Sequence, residues 1–568
     1  MNTLTASQQE AINTDHHRVL VLAGPGSGKT QVTVERIRRL INDGADPRRI
    51  VALTFTNAAA RELEERLDGV HLGHTGTLHS FAFRCLKRYG ALLGYGAHLS
   101  VISPESASDL LETKARALGC KDPLKKLLEI KAAGIDCTKR LSVAETAVAA
   151  HLQELKEAGI VDFDVLLTEF AAFAESLGGH GIMFHEFDEF DYLFVDEVQD
   201  SSPIDWRIYR ALPILHKFFV GDPDQAIYGF RGGSVSEMVR EAWDTSVKVI
   251  RLEENFRSRI EICLAAQRLI EHNRNRVAKE TRSTRDWSGS VMVYPEAANE
   301  GEEIAIVGRA ITHLLDLLGF TADVPATDIA ILARTNSIAD AFQRTLKAWG
   351  IPVVERVKPD LPRDFALARA TVELMANPSN DTLAYLYLKQ RNKNAGEMIR
   401  QARAAGKSAD DYWGLVFSNH PLAESVIGEL NRAGASKECV MWVVEQLAKL
   451  PTGISVEDLA LQLSRPDENA KEEGEGVHVL TIHAAKGREF RAVFVVGMED
   501  ETCPGHRKDT NEEEERRCLY VACTRAKDFL AVSFCRSRVT AWGEIVPMTP
   551  SRFISELTGQ AIGGSSGT

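Results

Sequence analysis

Short apolar runs of strand length recur along the chain. Each is hydrophobic on successive residues and rich in Val, Ile and Phe, which is typical of parallel strands buried on both faces. The runs cover residues 19–23, 50–54, 192–195, 218–220, 249–252, 329–333, 477–482, 492–496 and 529–534. Helical patterns lie between them, as at 31–42 and 57–67. The alternation predicts an α/β protein with crossover helices. Because the runs fall into two groups, before and after about residue 255, it predicts two sheets.

Two long stretches interrupt this alternation. From about 103 to 186, and again from about 364 to 470, the pattern is helical throughout, with Gly or Pro as breaks. We interpret both stretches as helical inserts that emerge from loops of the two α/β cores. The acidic segment 468–475 is predicted to be a linker back into the second core, and the Gly/Ser-rich segment 559–568 is predicted to be a flexible tail.

Composition narrows the functional class. The balance of 44% hydrophobic and 26% charged residues in a chain of 568 is that of a globular protein. The net charge of −13 is unusual for a protein that surrounds nucleic acid electrostatically. Any nucleic acid is therefore expected to bind in a local groove, helped by stacking. The longest apolar stretches reach only about six residues, far short of the about 20 that a membrane span needs, so we expect no membrane association.

Cysteine usage and the N-terminus bear on the compartment. Nine cysteines are scattered without a CxxC pair, which indicates reduced thiols and a cytoplasmic location. An iron–sulfur cluster on the four late cysteines is an alternative, but their spacing matches no ferredoxin-type run. Residues 1–4 open without a basic and then apolar segment, so no signal peptide is expected.

Residues 23–30, Ala-Gly-Pro-Gly-Ser-Gly-Lys-Thr, have the P-loop pattern in its confirming context, with a predicted strand before and a helix after. Glycines allow backbone N–H groups to surround a β-phosphate without Cβ clashes. Lys29 can reach the β- and γ-phosphates, and Thr30 offers a hydroxyl to Mg²⁺. The pattern by itself predicts only a nucleotide-binding protein.

A second segment adds hydrolysis to nucleotide binding. The apolar run 192–195 ends in the paired carboxylates of Asp196 and Glu197, at the strand end where open α/β sheets place ligands. Asp196 can hold Mg²⁺ through water, and Glu197 can orient and deprotonate the attacking water. A solvated acidic loop is the alternative in isolation, but beside a P-loop the pair is typical of an Mg²⁺-dependent NTPase. The adjacent Glu favours NTP hydrolysis over phosphoryl transfer to a small acceptor.

Further blocks of motif character follow one another along the chain. They are 4–12 (Leu-Thr-Ala-Ser-Gln-Gln-Glu-Ala-Ile), 54–57 (Thr-Phe-Thr-Asn), 76–79 (Gly-Thr-Leu-His), 195–200 (Val-Asp-Glu-Val-Gln-Asp), 220–232 (beginning Val-Gly-Asp-Pro-Asp-Gln), 252–258 (Leu-Glu-Glu-Asn-Phe-Arg-Ser), 481–490 (Thr-Ile-His-Ala-Ala-Lys-Gly-Arg-Glu-Phe) and 513–526 (beginning Glu-Glu-Glu-Arg-Arg). With the P-loop, these blocks resemble the motifs of superfamily 1A DNA helicases of the UvrD/Rep/PcrA type, in the order of that family and over almost the whole chain.

The resemblance implies a fold and a division of the chain. The fold is α/β, with two RecA-like parallel-sheet cores of the P-loop NTPase kind, each carrying a mainly helical insert. The expected parts are core 1A (1–88 and 187–251), insert 1B (89–186), core 2A (252–363 and 472–558), a reduced insert 2B (364–471) and the tail 559–568. The second insert lacks a recognisable counterpart of the family's duplex-gripping RGIG-like element.

The resemblance also assigns nucleotide contacts. Gln225 is expected to sense the γ-phosphate, and Arg257 and Arg525, both from the second core, to act as arginine fingers beside the catalytic Lys29 and Glu197. The other expected contacts are Gln8 to adenine, Gly24, Pro25, Gly26, Ser27, Gly28, Thr30 and Gln31 to phosphates and metal, Arg36 to a phosphate or the base edge, Phe256 stacked on adenine and Glu489 on ribose. Taken alone, either arginine finger would be interpreted as a surface ion pair.

The nucleic-acid track that the resemblance implies consists of Phe55, Asn57, Thr77, His79, Tyr228, Phe230, Arg231 and His483. Aromatic rings that stack on bases contribute about 1–3 kcal/mol each and tolerate any sequence, which suits a translocating protein. Taken singly, Phe55 and Tyr228 would be interpreted as core aromatics. Three positions differ from the family's motifs: Phe230 stands where the family has Trp, Ala58 where it has Lys, and Arg488 where it has Leu.

The expected activity is that of an ATP-dependent DNA helicase or translocase that moves 3′→5′ on single-stranded DNA and unwinds duplex DNA, in repair or replication. Its expected partners are single-stranded and tailed duplex DNA, and it is expected to be a monomer. Two alternatives stay open: a translocase that removes bound proteins with little unwinding, and a nucleotide-gated DNA-binding switch. The polarity rests on the resemblance alone.

Overall fold

A computed structural model gives the fold. It describes residues 4–95, 99–117, 143–179, 189–229, 232–285, 289–317, 326–357, 361–377, 380–391, 398, 422–448, 455–464, 471–506, 510–539 and 543–560. The chain divides into two compact units, which consist of Met1–Thr77, Ile182–Val357 and Glu472–Thr568 for the first unit, and Leu78–Gly181 and Lys358–Lys471 for the second. The first unit contains both predicted sheets, and the second contains the predicted helical inserts.

The strands are β1 Arg18–Ala23, β2 Ile50–Leu53, β3 His74–Gly76, β4 Ser100–Val101, β5 Ile160–Val161, β6 Tyr192–Val195, β7 His216–Gly221, β8 Lys248–Leu252, β9 Glu254–Asn255, β10 Arg282–Ser283, β11 Ser290–Val293, β12 Ile329–Ala333, β13 Glu355–Val357, β14 Lys471–Glu473, β15 His478–Thr481, β16 Phe490–Val496, β17 Ala526–Val532, β18 Ser537–Val539 and β19 Ile545–Pro547.

The described α-helices are α1 Ala6–Asn13, α2 Lys29–Asn42, α3 Asn57–Arg66, α4 Leu78–Tyr89, α5 Pro104–Ala117, α6 Val143–Glu157, α7 Phe163–Gly179, α8 Pro203–Ala211, α9 Val235–Trp243, α10 Ile260–Ile270, α11 Glu300–Leu317, α12 Asn336–Ala348, α13 Phe365–Ala376, α14 Asp381–Gln390, α15 Leu422–Ala433, α16 Lys437–Ala448, α17 Val456–Ser464, α18 Glu512–Cys523 and α19 Arg552–Thr558. None of the described helices is both long and apolar enough to cross a membrane.

Six strands form the first sheet in the order β3-β2-β6-β7-β1-β8, and all their pairings are parallel. The central strands pack against α1 and α2 through a buried apolar cluster that includes Val21, Phe194 and Ile37. Since β6, β7 and β1 are neighbours and parallel, the loops that follow them open at the same edge of the sheet. This edge carries the P-loop, the paired carboxylates and Gln225.

Five strands form the second sheet in the order β11-β17-β16-β12-β15, again all parallel. Helices α10, α18 and α19 pack in one buried cluster with its strands, and α11 and α12 pack in another. Both sheets and the α/β class are therefore as the hydrophobic pattern predicts. The two sheets fit the two RecA-like cores of a P-loop NTPase, and each core carries a mainly helical insert.

The second unit joins the two helical stretches through shared contacts. One apolar cluster combines Ile102 and Ile160 of the first stretch with Leu374 and Tyr387 of the second. Asn380 donates a hydrogen bond to the carbonyl oxygen of Ala158 at 2.6 Å. The two stretches, which the sequence pattern presents as separate inserts, therefore share a hydrophobic core. The finer division into two cores, two inserts and a tail remains a prediction.

The segment 468–475, predicted to be a linker back into the second core, contains a short strand. Its residues Lys471–Glu473 form β14, which pairs with β13, and the boundary between the two units falls between Lys471 and Glu472. Pairing with this distant strand satisfies the backbone N–H and C=O groups of these residues. The charge pattern of the segment does not predict which strand pairs with it. Of the predicted tail, residues 561–568 lie outside the described part of the chain. Cys503, Cys518, Cys523 and Cys535 are each free and buried.

Candidate nucleotide and nucleic-acid site

The P-loop joins β1 to α2 and depends on two glycines in the left-handed region. Gly26 has φ +67°, and Gly28, the N-cap of α2, has φ +81°. A Cβ atom on Gly26 would lie 2.6 Å from Cβ of Arg257, so the loop also needs glycine to let the second core approach. The helix begins with Lys29, so backbone N–H groups and the positive end of the helix dipole face the position of a bound phosphate.

Gln8 lies against the P-loop. It belongs to a capping box at the start of α1, in which the backbone N–H of Thr5 donates to Oε1 of Gln8 at 3.0 Å. Its Nε2 donates to the carbonyl oxygen of Ser27 at 3.0 Å. This placement brings the predicted adenine-reading residue to the nucleotide edge of the sheet. The contact with adenine itself stays a prediction.

The paired carboxylates follow β6. Nζ of Lys29 lies 3.4 Å from Oε1 of Glu197, and Gln199 donates a hydrogen bond to the other carboxylate oxygen of Glu197. Glu197 has φ +52°, which is unfavourable for a residue with a Cβ and is tolerated mainly where function requires it. The backbone and the lysine together aim this carboxylate at the P-loop.

The pKa values of the two carboxyl groups are shifted in opposite directions. Burial, together with the charge of Glu197, raises the pKa of Asp196 to about 7. Burial also disfavours ionised Glu197, but the Lys29 and Lys486 charges outweigh it and lower the pKa of Glu197 to about 2. The ionised form of Asp196 therefore has too little positive charge around it, and a bound cation would stabilise that form. The carboxylate of Asp196 and the hydroxyl of Thr30 are oxygen donors, the ligands that Mg²⁺ prefers, so these residues fit the metal.

Gln225 ends a short turn, Pro223–Gln225, after β7. Its Nε2 donates to Oδ2 of Asp222 at 2.6 Å, and its Oε1 accepts a hydrogen bond from Nη2 of Arg525 at 3.2 Å. Arg525 is itself buried and also donates to the carbonyl oxygens of Val521 and Arg488 at 3.1 Å each. The predicted γ-phosphate sensor of the first core and a predicted arginine finger of the second core are thus directly bonded.

Burial and the neighbouring Arg257 lower the pKa of Arg525 to about 9. The guanidinium is therefore short of negative partners. A group with negative charge at this position, such as a transferring phosphoryl group, would complete its surroundings.

The second core also contacts the P-loop through 255–257. The backbone N–H of Phe256 donates to the carbonyl oxygen of Gly26 at 2.9 Å, while the Phe256 ring is 40% exposed. Nε of Arg257 donates to Oε2 of Glu489 at 2.7 Å, and Nζ of Lys527 lies 2.6 Å from the other oxygen of Glu489. Phe256, Arg257 and Glu489 thus lie together near the P-loop. A nucleotide would have to exchange these ion pairs for its own.

Arg36 differs from the other predicted nucleotide ligands. Its Nη1 donates to the carbonyl oxygens of Ala11 and Ile12 at 2.8 and 3.1 Å, and its guanidinium lies 4.7 Å from the centre of the Phe218 ring. Burial lowers the pKa of Arg36 to about 10. These contacts fasten α1 to α2 and favour a structural role. Its contact with nucleotide stays a prediction that none of these bonds supports.

Part of the predicted nucleic-acid track comes together in the first unit. The rings of Phe55 and Tyr228 are stacked, with centroids 5.3 Å apart and planes 18° from parallel, and Phe55 is 38% exposed. The His483 ring lies 6.0 Å from that of Tyr228. Burial and the Arg334 charge lower the pKa of His483 to about 4, so this imidazole is neutral at neutral pH. The three rings form a platform, named here the aromatic platform.

The other predicted track residues do not belong to the aromatic platform. Asn57 is the first residue of α3, and Thr77 follows β3. His79 belongs to the second unit, where its ring lies 5.3 Å from that of Phe163. Phe230 and Arg231 lie outside the described residues.

Lys486, for which the sequence predicts no role, contacts both sites. Its Nζ lies 2.5 Å from Oδ2 of Asp200 and donates to the carbonyl oxygen of Gln225 at 3.0 Å. The same ammonium lies 4.8 Å from the centre of the Tyr228 ring. Its position inside the motif-like block 481–490 is the one sequence feature that indicates a functional role. One lysine of the second core therefore contacts both the Gln225 loop and the aromatic platform.

Comparison with known families agrees with this geometry. Residues 4–245 match the UvrD/REP helicase N-terminal domain. Residues 250–399 and 445–537 match the UvrD-like helicase C-terminal domain. The unmatched interval, 400–444, falls within the predicted second insert.

Similar proteins match over nearly the full chain. An ATP-dependent DNA helicase PcrA of Leuconostoc citreum is 27% identical over 98% of this chain and 85% of its own length. A probable DNA helicase II homolog of Rickettsia conorii is 29% identical over 98% of this chain and 96% of its own. The PcrA of Bacillus subtilis is 27% identical over 98% of this chain and 86% of its own. With its two domain matches and its P-loop edge, the chain belongs to the UvrD-like DNA helicase family.

Proposed function

We propose that this family member is a DNA-stimulated ATPase that moves 3′→5′ along single-stranded DNA and separates duplex ahead of it. One observation carries the proposal. The Gln225 loop is bonded through its side chain to Arg525 and through its backbone to Lys486, which lies against Tyr228. The proposed base contact and the proposed phosphate contact therefore both involve the loop that follows β7.

The proposed roles at the nucleotide follow from the positions of the side chains. Lys29 binds the β- and γ-phosphates, and Thr30 and Asp196 hold Mg²⁺, which supplies charge neutralisation at the phosphates when it is bound. Glu197, kept ionised by Lys29, accepts the proton of the attacking water. Gln225, Arg257 and Arg525 stabilise the charge that develops on the phosphoryl oxygens. Gln8, Phe256 and Glu489 hold the nucleoside.

The proposed stimulation by DNA has a physical route. A base that stacks on Tyr228 must displace a present neighbour of this ring, either Phe55 or the Lys486 ammonium. A shift of Lys486 changes its bonds to Asp200 and to the Gln225 backbone. Because the proposed nucleotide contacts come from both cores, ATP binding can close the gap between them and hydrolysis can reopen it. Repeated closure then moves the strand.

A second candidate is a translocase that strips proteins from single strands and unwinds poorly. It is favoured by the reduced second insert, whose residues 400–444 match no part of the family's C-terminal domain. Pairing and stacking oppose opening by about 1.4 kcal/mol per base-pair step, so a protein with a weak duplex grip slips at the junction. We propose brisk translocation with weak unwinding by a monomer, in cytoplasmic DNA repair or replication.

The test uses matched substrates. Duplexes of about forty base pairs with either a 3′ or a 5′ tail are compared under ATP, alongside streptavidin displacement from a biotinylated single strand. We expect displacement to be fast and unwinding to be slow, restricted to the 3′ tail and improved by a longer tail. Unwinding from the 5′ tail alone would reverse the proposed polarity. ATP turnover that DNA leaves unchanged would favour the nucleotide-gated switch.

A further inference from the structure

A buried ionic cluster holds the Gln225 loop against the second core. Asp222 and Asp224, in the loop after β7, have fully buried side chains. Nζ of Lys279 lies 2.5 Å from Oδ1 of Asp222 and 2.5 Å from Oδ2 of Asp224, and its own side chain is 1% exposed. Arg276 donates two hydrogen bonds to Asp224, at 3.1 and 2.9 Å. Both cations come from the segment between α10 and β10, which belongs to the second core.

The cluster determines which way the amide of Gln225 points. An ionised carboxylate can only accept a hydrogen bond and a guanidinium can only donate one. Since Gln225 lies between Asp222 and Arg525, its NH₂ group must face Asp222 and its oxygen must face Arg525. The chemistry of the two neighbours thus fixes this orientation.

Lys279 maintains the partner on which this orientation depends. Without a cation, a fully buried carboxylate is costly and tends to be neutralised or to move. Asp222 would then keep the backbone N–H of Asp224 as a donor at 3.0 Å but lose its counter-charge, so the Gln225 amide would lose part of its preference for this orientation. A chain of bonds therefore runs from Lys279 through Asp222 and Gln225 to Arg525.

We infer that Lys279 is a positioning residue for ATP hydrolysis, which acts through Asp222 to hold the Gln225 amide toward Arg525 and the γ-phosphate. The inference rests on the proposed sensing role of Gln225. It adds a contribution of the second core to the geometry of a first-core loop. Lys279 touches neither nucleotide nor water in this role, so its effect must appear through Gln225.

The test is a double-mutant cycle on the full chain, with ATP turnover at saturating oligo-dT as the first readout and affinity for a fluorescent ATP analogue as the second. Lys279→Met should lower kcat about tenfold to a hundredfold, the range for loss of one hydrogen bond to a charged group, while the affinity changes less than about twofold. In the Gln225→Ala background the same change should lower kcat by less than about twofold, because the residue that it positions is gone.

Lys217→Met is the matched control. Lys217 is also buried and lies on β7, but its ammonium donates to the carbonyl oxygen of Arg210 at 3.0 Å. Its effect on kcat, whatever its size, should be equal in the wild-type and Gln225→Ala backgrounds. Thermal unfolding of each variant monitors the fold.

Each result has one meaning. Equal losses from Lys279→Met in both backgrounds would overturn the inference and leave Lys279 a purely structural residue. If Gln225→Ala alone left turnover intact, the proposed sensing role would fail first, and the inference with it. If Lys279→Met does not fold, Asp222→Asn replaces it in the cycle, since an amide of equal size keeps the volume but offers a donor where Gln225 needs an acceptor. Additive effects of that variant would also overturn the inference.

Discussion

The nucleotide edge and the aromatic platform of the same unit are built on different physics. At the nucleotide edge, charged and amide groups such as Gln225 and Arg525 are buried and bonded to partners from both cores. At the platform, Phe55 is 38% exposed and its main partner is another ring. Hydrolysis needs donors fixed within a few tenths of an ångström, whereas translocation needs contacts that accept any base. The first requirement favours buried polar groups with fixed hydrogen-bond partners, and the second favours accessible ring faces.

The contrast predicts its largest effect at the nucleotide edge. Arg525→Ala should lower ATP turnover by about 10³–10⁵-fold, because the donor that we propose for the transferring phosphoryl group is lost. Steady-state turnover at saturating ATP and oligo-dT measures it. Arg536→Ala is the control, since that arginine is 64% exposed and pairs with Glu296. A loss under tenfold in a folded Arg525→Ala protein would leave this residue a structural hydrogen-bond donor between the two cores.

The next effect concerns salt. The net charge is −13 and few basic residues mark the track, so we expect the single strand to contact about five phosphates. At roughly −0.7 per phosphate, log affinity against log salt should have a slope of about −3 to −4. Between about 50 and 200 mM salt, oligo-dT affinity should therefore fall about a hundredfold by fluorescence anisotropy. A slope steeper than about −7 would reveal an extended basic surface and show that charge, rather than stacking, dominates DNA binding.

A smaller effect is expected on the platform. Tyr228→Ala should weaken binding of oligo-dT and oligo-dA alike by about 1–3 kcal/mol, because a ring face is lost and no base-specific bond is involved. The slope against salt should stay unchanged, since no phosphate contact disappears. Trp243→Ala serves as the control, because Trp243 is 76% exposed and lies at the end of α9. A preference of the variant for one base would contradict sequence-tolerant stacking.

The smallest effect concerns pH. Burial and the Arg334 charge lower the pKa of His483 to about 4, so the imidazole stays neutral between pH 8 and 5.5. Protonation would add a positive charge to the platform and strengthen DNA binding as the pH falls. We therefore expect wild-type and His483→Gln proteins to show the same pH profile of oligo-dT affinity over this range. A wild-type gain on acidification that His483→Gln lacks would show that the platform also binds by charge.

The sequence predicted much of the architecture but not all of the contacts. The apolar runs located the central strands of both sheets within one or two residues in most cases, whereas short edge strands such as β3 and β11 gave no clear run. Arg36 shows the limit for site residues. The family resemblance implies that it contacts a phosphate or the base edge, whereas the structure bonds its guanidinium to the carbonyl oxygens of Ala11 and Ile12 in α1. A side chain's partner depends on elements far along the chain.

The sequence by itself determined the class of fold, the P-loop, the paired carboxylates and the order of the motifs. The reason is that each single strand, helix and motif is encoded by residues within a few positions of one another. Only the tertiary structure decided that Lys279 holds Asp222, that Lys486 joins the Gln225 loop to Tyr228, and that the two helical stretches share a core. These contacts link residues 57 and more positions apart. They depend on how helices and sheets dock, and buried charges with a specific partner leave no periodic pattern in a sequence.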